Sequence, residues 1–150
     1  MLFAIGLETV KLGYETMRNS RLIQLERNIA ELEQLGKAYT ADDFKTDTQK
    51  QWALRYGFLV SIQIMIDLAC HIVVHQNLGT ANTYADCIVL LRKFNYIDAS
   101  LEKSLKGMAG LRNLLVHEYV IVDIDKLYGM LQHLDDFKDF IMAIEQYTDR

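Results

Sequence analysis

A chain of 150 residues that is 51% hydrophobic has enough apolar surface for one core, and no shift of composition argues for a second. It holds no proline, and with long stretches of Leu, Ile, Glu and Lys this favours long uninterrupted helices, excluding loop-rich or Pro-punctuated architectures. A formal net charge of −4 and a pI near 5.5 count against non-specific nucleic-acid binding by the whole surface.

In chain order, residues 1–18 are moderately apolar and can be written as a short helix through Leu2, Ile5, Thr9 and Leu12. They are expected to be an N-terminal extension of one helical domain spanning 1–150, with Met17 as an alternative start. The first strong pattern runs from Ser20 to Leu35, with Leu22, Leu25, Ile29 and Leu32 on one face and Gly36 as the stop. A polar link through Asp42, Asp43, Lys45 and Asp47 leads to a second helix over Thr48–His75, apolar nearly all round. That is the mark of a central element. Gln63, Asp67 and His71 interrupt its apolar run on one face, so it is expected in a core and not in a membrane.

His71 and His75 have an i, i+4 spacing that could hold a metal, yet a polar seam and a solvated helix end explain them more simply. No metal or cofactor is expected. Asp67 is different, because a carboxylate on an apolar helix needs a cation or donors. It is expected either to orient a site built around Arg112 or to hydrogen-bond a neighbouring helix. Cys70 and Cys87 show neither metal nor disulfide spacing and read as reduced core residues.

The third helix is expected over Thr80–Tyr96, starting at Asn82 or Thr83 as a cap, with Val89, Leu90 and Phe94 inward and Asn95-Tyr96 as the break. The fourth starts near Asp98 or Ser100 and runs to about Tyr119, carrying the small residues Gly107, Ala109 and Gly110 where another backbone could approach. A fifth covers about Asp123–Tyr147. The chemistry gathers late in the fourth helix, in Leu111-Arg112-Asn113-Leu114-Leu115-Val116-His117-Glu118-Tyr119. Leu101, Leu105, Met108, Leu115 and Tyr119 form a helical stripe in which Arg112 is out of place, since a guanidinium keeps its proton and is costly to bury alone. On this helix Arg112 and Tyr119 are expected to share one face and Asn113 and His117 the adjoining one, at about 100° per residue.

A histidine can move a proton near neutral pH and an arginine can hold a phosphate or stabilise a phosphorane-like transition state. Asn113 can orient either. Arg112-Asn113 followed by His117-Glu118-Tyr119 resembles the R-x4-H-x-Y motif of the HepT-like toxins, a branch of the HEPN superfamily. The flanking Gly107-Met108-Ala109-Gly110-Leu111 and the Ile66-Asp67 step upstream resemble that branch as well, from about Gln51 to the C-terminus. The resemblance implies an all-α, four- to five-helix up-and-down bundle, forming a homodimer in which two Arg112/His117 sets meet in a cleft. It further implies a metal-independent endoribonuclease toxin acting on tRNA or mRNA, in a type VII-like toxin–antitoxin system. Its partner would be an MNT-type nucleotidyltransferase antitoxin that transfers AMP to the motif tyrosine, here Tyr119.

An RNA substrate would need a local basic cleft, for which Arg92, Lys93, Lys103, Lys106 and Arg112 are the candidates. The competing reading is a non-catalytic adaptor that presents a substrate to a nucleotidyltransferase. The N-terminus has no basic segment leading into a cleavable apolar one, so a cytoplasmic location is expected.

Overall fold

A computed structural model of the chain describes residues 2–117 and 121–148. Among them the secondary structure is entirely helical, in seven α-helices and one 3-10 turn. They are α1 (Leu2–Ala38), α2 (Ala41–Thr46), α3 (Thr48–His75), α4 (Tyr84–Lys93), α5 (Ala99–Leu115), α6 (Ile124–Gly129) and α7 (Asp135–Thr148), with the 3-10 turn Met130–His133 between the last two.

The all-round apolar character of α3 makes it the central element. It packs against α1, α4 and α5, and also touches α2 and α6, burying Leu54, Phe58, Ile62, Met65, Ile66, Leu68, Ala69 and Val73. It is long and apolar enough to cross a membrane, but the residues that make it so are the core of the bundle. Close approach to α1 occurs at Gly57, where an added Cβ would stand 2.8 Å from the buried Leu32 side chain. Both ends of α3 and α4 follow local rules. Asp47 accepts from the N–H groups of Gln49 and Lys50 at the start of α3, and Thr83 and Asp86 form a reciprocal capping box at the start of α4. At their C-termini Asn77 and Asn95 adopt φ of 52° and 62°, the left-handed cap that the asparagine side chain tolerates.

The long-range pattern departs from the expectation in several places. In place of a short helix and a second one starting at Ser20, α1 is one 37-residue helix. Nothing between Gly13 and Ser20 breaks it, and Tyr14 stacks on His75 of α3 with ring centroids 3.6 Å apart. The expected polar link contains α2, held by a capping box between Thr40 and Asp43 and pinned by the buried Phe44. On α4, Cys87, Ile88 and Leu91 face the core and Leu90 packs against it as expected, while Val89 and Phe94 are exposed.

The single fifth helix is three pieces. After Leu127 is buried and Tyr128 donates to the carbonyl of Tyr39 at 3.2 Å, the 3-10 turn redirects the chain, so that Leu134, Phe137, Phe140, Ile141 and Ile144 can enter the core. The bundle therefore has seven helices in place of the four or five expected. Cys70 and Cys87 are joined in a disulfide, with Cα atoms 5.1 Å apart, correcting the reading of two reduced thiols. Their separation of 17 residues spans the α3–α4 corner, and only the packing of those two helices brings the sulfurs together.

Candidate functional site

Asp98 caps α5 by accepting from the N–H of Leu101 at 2.8 Å, and Leu101, Leu105, Met108, Ala109 and Leu115 anchor the helix in the core. This fixes the position of Arg112, which lies one turn beyond Met108 and half-buried. Its Nε–H donates to Oε1 of Gln63 on α3 at 2.8 Å. The other end of that amide, Nε2–H, donates to Oδ1 of Asp67 at 2.8 Å. Asp67 thus reaches Arg112 through Gln63, with the neutral amide standing between the carboxylate and the guanidinium.

Two further groups complete the surroundings of Arg112. Its guanidinium carbon lies 5.3 Å from the centre of the Tyr84 ring, a cation–π distance. Its Nη1 donates to Asn113 Oδ1 at 3.4 Å, a long contact at the surface. Tyr84 is the first residue of α4 and is set there by the capping box. In that box the Asp86 carboxylate accepts from the backbone N–H groups of Asn82 and Thr83, which hold its pKa below the usual carboxylate range.

A cavity of about 280 Å³ opens beside the guanidinium, lined by Arg112, Val116, Gln63, Asp67, Gln24 and Arg21. It brings a second arginine, from α1, to the same hollow. Asn113 faces a different and larger hollow of about 730 Å³, shared with Tyr84, Lys106, Gly110 and the Cys70–Cys87 bridge. The basic residues close together in sequence do not gather in one place. Arg92 lines a hollow against α7 that also holds Asp136 and Asp139, and Lys106 pairs with Glu102 at 3.5 Å.

The helix ends sooner than expected, at Leu115, with Val116 as its cap. His117 lies exposed just past that end, its backbone N–H donating to the carbonyl of Leu114 at 3.2 Å. Arg112 and His117 are therefore separated by a helix terminus and do not follow one continuous helical face. Tyr119 and Glu118 lie outside the described residues. His75, the other histidine of interest, is taken up by its stack on Tyr14, and His71 is exposed on α3.

Sequence reasoning missed three members of this neighbourhood. Gln63 stands one helical turn before Asp67, a spacing that puts side chains on one face, but in the sequence it reads only as a break in an apolar run. Tyr84 and Arg21 carry no signal of their own, because their elements meet Arg112 only in the folded chain.

A profile of the ribonuclease HepT-like family matches residues 25–144. The chain belongs to that family. The HepT-like match begins at Leu25 within α1, well before the Gln51 limit of the resemblance carried by the motif. Among HepT relatives, the mRNA nuclease HepT of Shewanella oneidensis is 36% identical over 103 residues, 68% of this chain and 77% of the relative. The tRNA nuclease HepT of Aphanizomenon flos-aquae is 25% identical over 107 residues, 71% of this chain and 73% of the relative. The fold is that of the HEPN toxins. It superimposes with a TM-score of 0.79 and 31% identity on a tri-AMPylated Shewanella oneidensis HEPN toxin solved in complex with an MNT antitoxin, covering 86% of this chain and 96% of that one.

Proposed function

We propose that this HepT-like ribonuclease is a metal-independent endoribonuclease toxin, cutting tRNA or mRNA with Arg112 and His117. The observation that carries the reading is the state of Arg112. Its Nε is fixed by Gln63, and it lines a cavity that Arg21 also lines. A cation oriented through its Nε beside a cavity that a second arginine lines is suited to a phosphodiester.

The chemistry balances without an added reagent. The substrate's own 2′-hydroxyl attacks the adjacent phosphorus as a base takes its proton; the new O2′–P bond forms, the P–O5′ bond breaks, and an acid protonates the departing O5′. One imidazole cannot do both in one step, so two His117 side chains, one from each of two protomers, would serve as base and acid, with Arg112 stabilising the charge on the phosphorane. This is the reason for proposing a homodimer with a shared cleft. Leu114, Val116 and Ile121, all exposed in the isolated chain, support such a cover, as does the open space at Gly107 and Gly110.

The single domain is taken to span 1–150, with 1–18 as an extension beyond the family core, and the toxin is taken to work in the cytoplasm. Its neutralising partner is inferred to be an MNT-type nucleotidyltransferase that transfers AMP to Tyr119, adding anionic charge near Arg112. The relative solved as a tri-AMPylated toxin with an MNT antitoxin supports this reading.

The test is cleavage of tRNA and mRNA in EDTA by the wild-type protein, Arg112→Ala and His117→Ala, each checked for folding by circular dichroism. Cleavage by the wild type that falls by about 10²–10⁴-fold in His117→Ala supports the nuclease. Absence of cleavage under all conditions, or undiminished cleavage by both variants, overturns it, and the first of these favours the adaptor. For the partner, incubation with the nucleotidyltransferase and ATP should place AMP on Tyr119 and leave Tyr119→Phe active.

A further inference from the structure

We infer that Gln63 is a positioning residue for Arg112, and that Asp67 acts by choosing which end of the Gln63 amide faces the arginine. The kinetic consequence rests on the nuclease reading above, whereas the geometry does not.

An amide has one accepting and one donating end of nearly the same shape, so Gln63 could in principle meet Arg112 with either. Only the oxygen is useful, because a guanidinium has donors alone. An ionised Asp67 accepts and does not donate. Placed one helical turn further along α3, it takes the Nε2–H of Gln63 at 2.8 Å, which turns Oε1 toward the Nε–H of Arg112, also 2.8 Å away. With Nε engaged and the Tyr84 ring 5.3 Å from the guanidinium carbon, the guanidinium is held at one edge and covered on one face. What remains is the fork of terminal nitrogens. Among the described residues Nη1 makes the long 3.4 Å contact to Asn113, which a phosphate oxygen can displace.

The use of a neutral relay has its own consequence. A carboxylate in direct contact with Arg112 would orient it equally well, but would cancel the charge that a phosphorane needs. Gln63 transmits the orientation from Asp67 and leaves the guanidinium's charge free for the substrate. The role of Asp67 is therefore that of an acceptor with no donor, which an asparagine fills only in part, because its amide can also donate.

The variants are Gln63→Leu, Gln63→Glu, Asp67→Ala and Asp67→Asn, each compared with the wild type and Arg112→Ala in two readouts. One is kcat and KM on a defined oligoribonucleotide. The other is the Nε–H resonance of Arg112 by nitrogen-15 NMR, which reports the Gln63 bond whether or not RNA is cut. Gln63→Leu and Asp67→Ala should lower kcat by about 10–100-fold, as loss of a ligand's orienting partner does, with KM nearly unchanged. Both should also release the Nε–H to fast exchange. Asp67→Asn should give a partly protected Nε–H and a kcat between those of the wild type and Asp67→Ala, whereas Gln63→Glu should keep the Nε–H protected and lower kcat. The proposal is overturned if Gln63→Leu keeps wild-type kcat and a protected Nε–H, or if Asp67→Asn is as impaired as Asp67→Ala, which would make the charge the essential property. A wild type that cuts no RNA sinks the nuclease reading alone, and the exchange of the Nε–H then decides the positioning by itself.

Discussion

Arginine and lysine carry the same charge, and the surroundings of Arg112 say which property is in use. The bond to Gln63 comes from Nε, an atom lysine lacks, and the flat guanidinium faces the Tyr84 ring. A lysine would carry its charge on a rotating tip with no fixed fork. Arg112→Lys is thus expected to retain RNA affinity in filter binding yet lose cleavage almost as fully as Arg112→Ala. A lysine variant within a few-fold of wild-type kcat would mean that charge alone suffices.

At the scale of elements, the helices that hold Arg112 are themselves tied down by caps and by a covalent bridge. Asp43, Asp47 and Asp86 sit at helix starts and have carboxyls held below the usual 3.8. The main causes are the backbone N–H of Thr40 for Asp43, the Lys50 side chain for Asp47, and the backbone N–H of Asn82 for Asp86. A folded-state pKa below the unfolded one gives stability that is whole above the unfolded value and fades as the pH falls through the folded one. Melting temperature should therefore drop as the pH falls below about 3.8. Replacing all three by asparagine, whose amide oxygen can still accept from the backbone N–H groups, should flatten that slope, and an unchanged slope would assign it to other carboxylates.

The Cys70–Cys87 bridge joins α3 to α4 one helical turn from Asp67 and from Tyr84 respectively. Closing 17 residues stabilises by about 3 kcal/mol on a chain-entropy basis. Reduction by a dithiol, or Cys70→Ser with Cys87→Ser, should then lower Tm by roughly 6–12 °C in a chain of this size. Calorimetry with and without reductant measures it, and equal melts would show that the bridge adds nothing to stability.

For the whole molecule the question is assembly. Gly107 and Gly110 lie on α5, and a Cβ added at either would meet nothing within 4 Å. The isolated chain therefore offers no reason for two glycines in a helix interior, where each costs about 1 kcal/mol relative to alanine. If they are there to let a second protomer approach, Gly110→Trp should fold at least as stably as the wild type. It should also run as a monomer by light scattering and lose nuclease activity together with dimerisation. A tryptophan variant that remains dimeric and active would move the contact to another face.

Much of this protein is set by short-range rules and could be taken from the sequence by itself. Freedom from proline and the apolar periods determined an all-helical chain; the limits of α3, the Thr83 and Asp98 caps, the asparagine stops and the Arg112/His117 motif all depend on residues within a few positions of one another. Only the tertiary structure decided what those elements meet. It joined Cys70 to Cys87 across a corner, split the last amphipathic stretch so that α7 could enter the core, and ended α5 before His117. It also inserted Gln63 between Asp67 and Arg112 and brought Arg21 and Tyr84 alongside. The physical reason is common to all of these: hydrogen-bond spacing and capping act along the chain, whereas a guanidinium's partners, a thiol's partner and the buried face of a helix are fixed by how separate helices pack, and no period in the sequence encodes that.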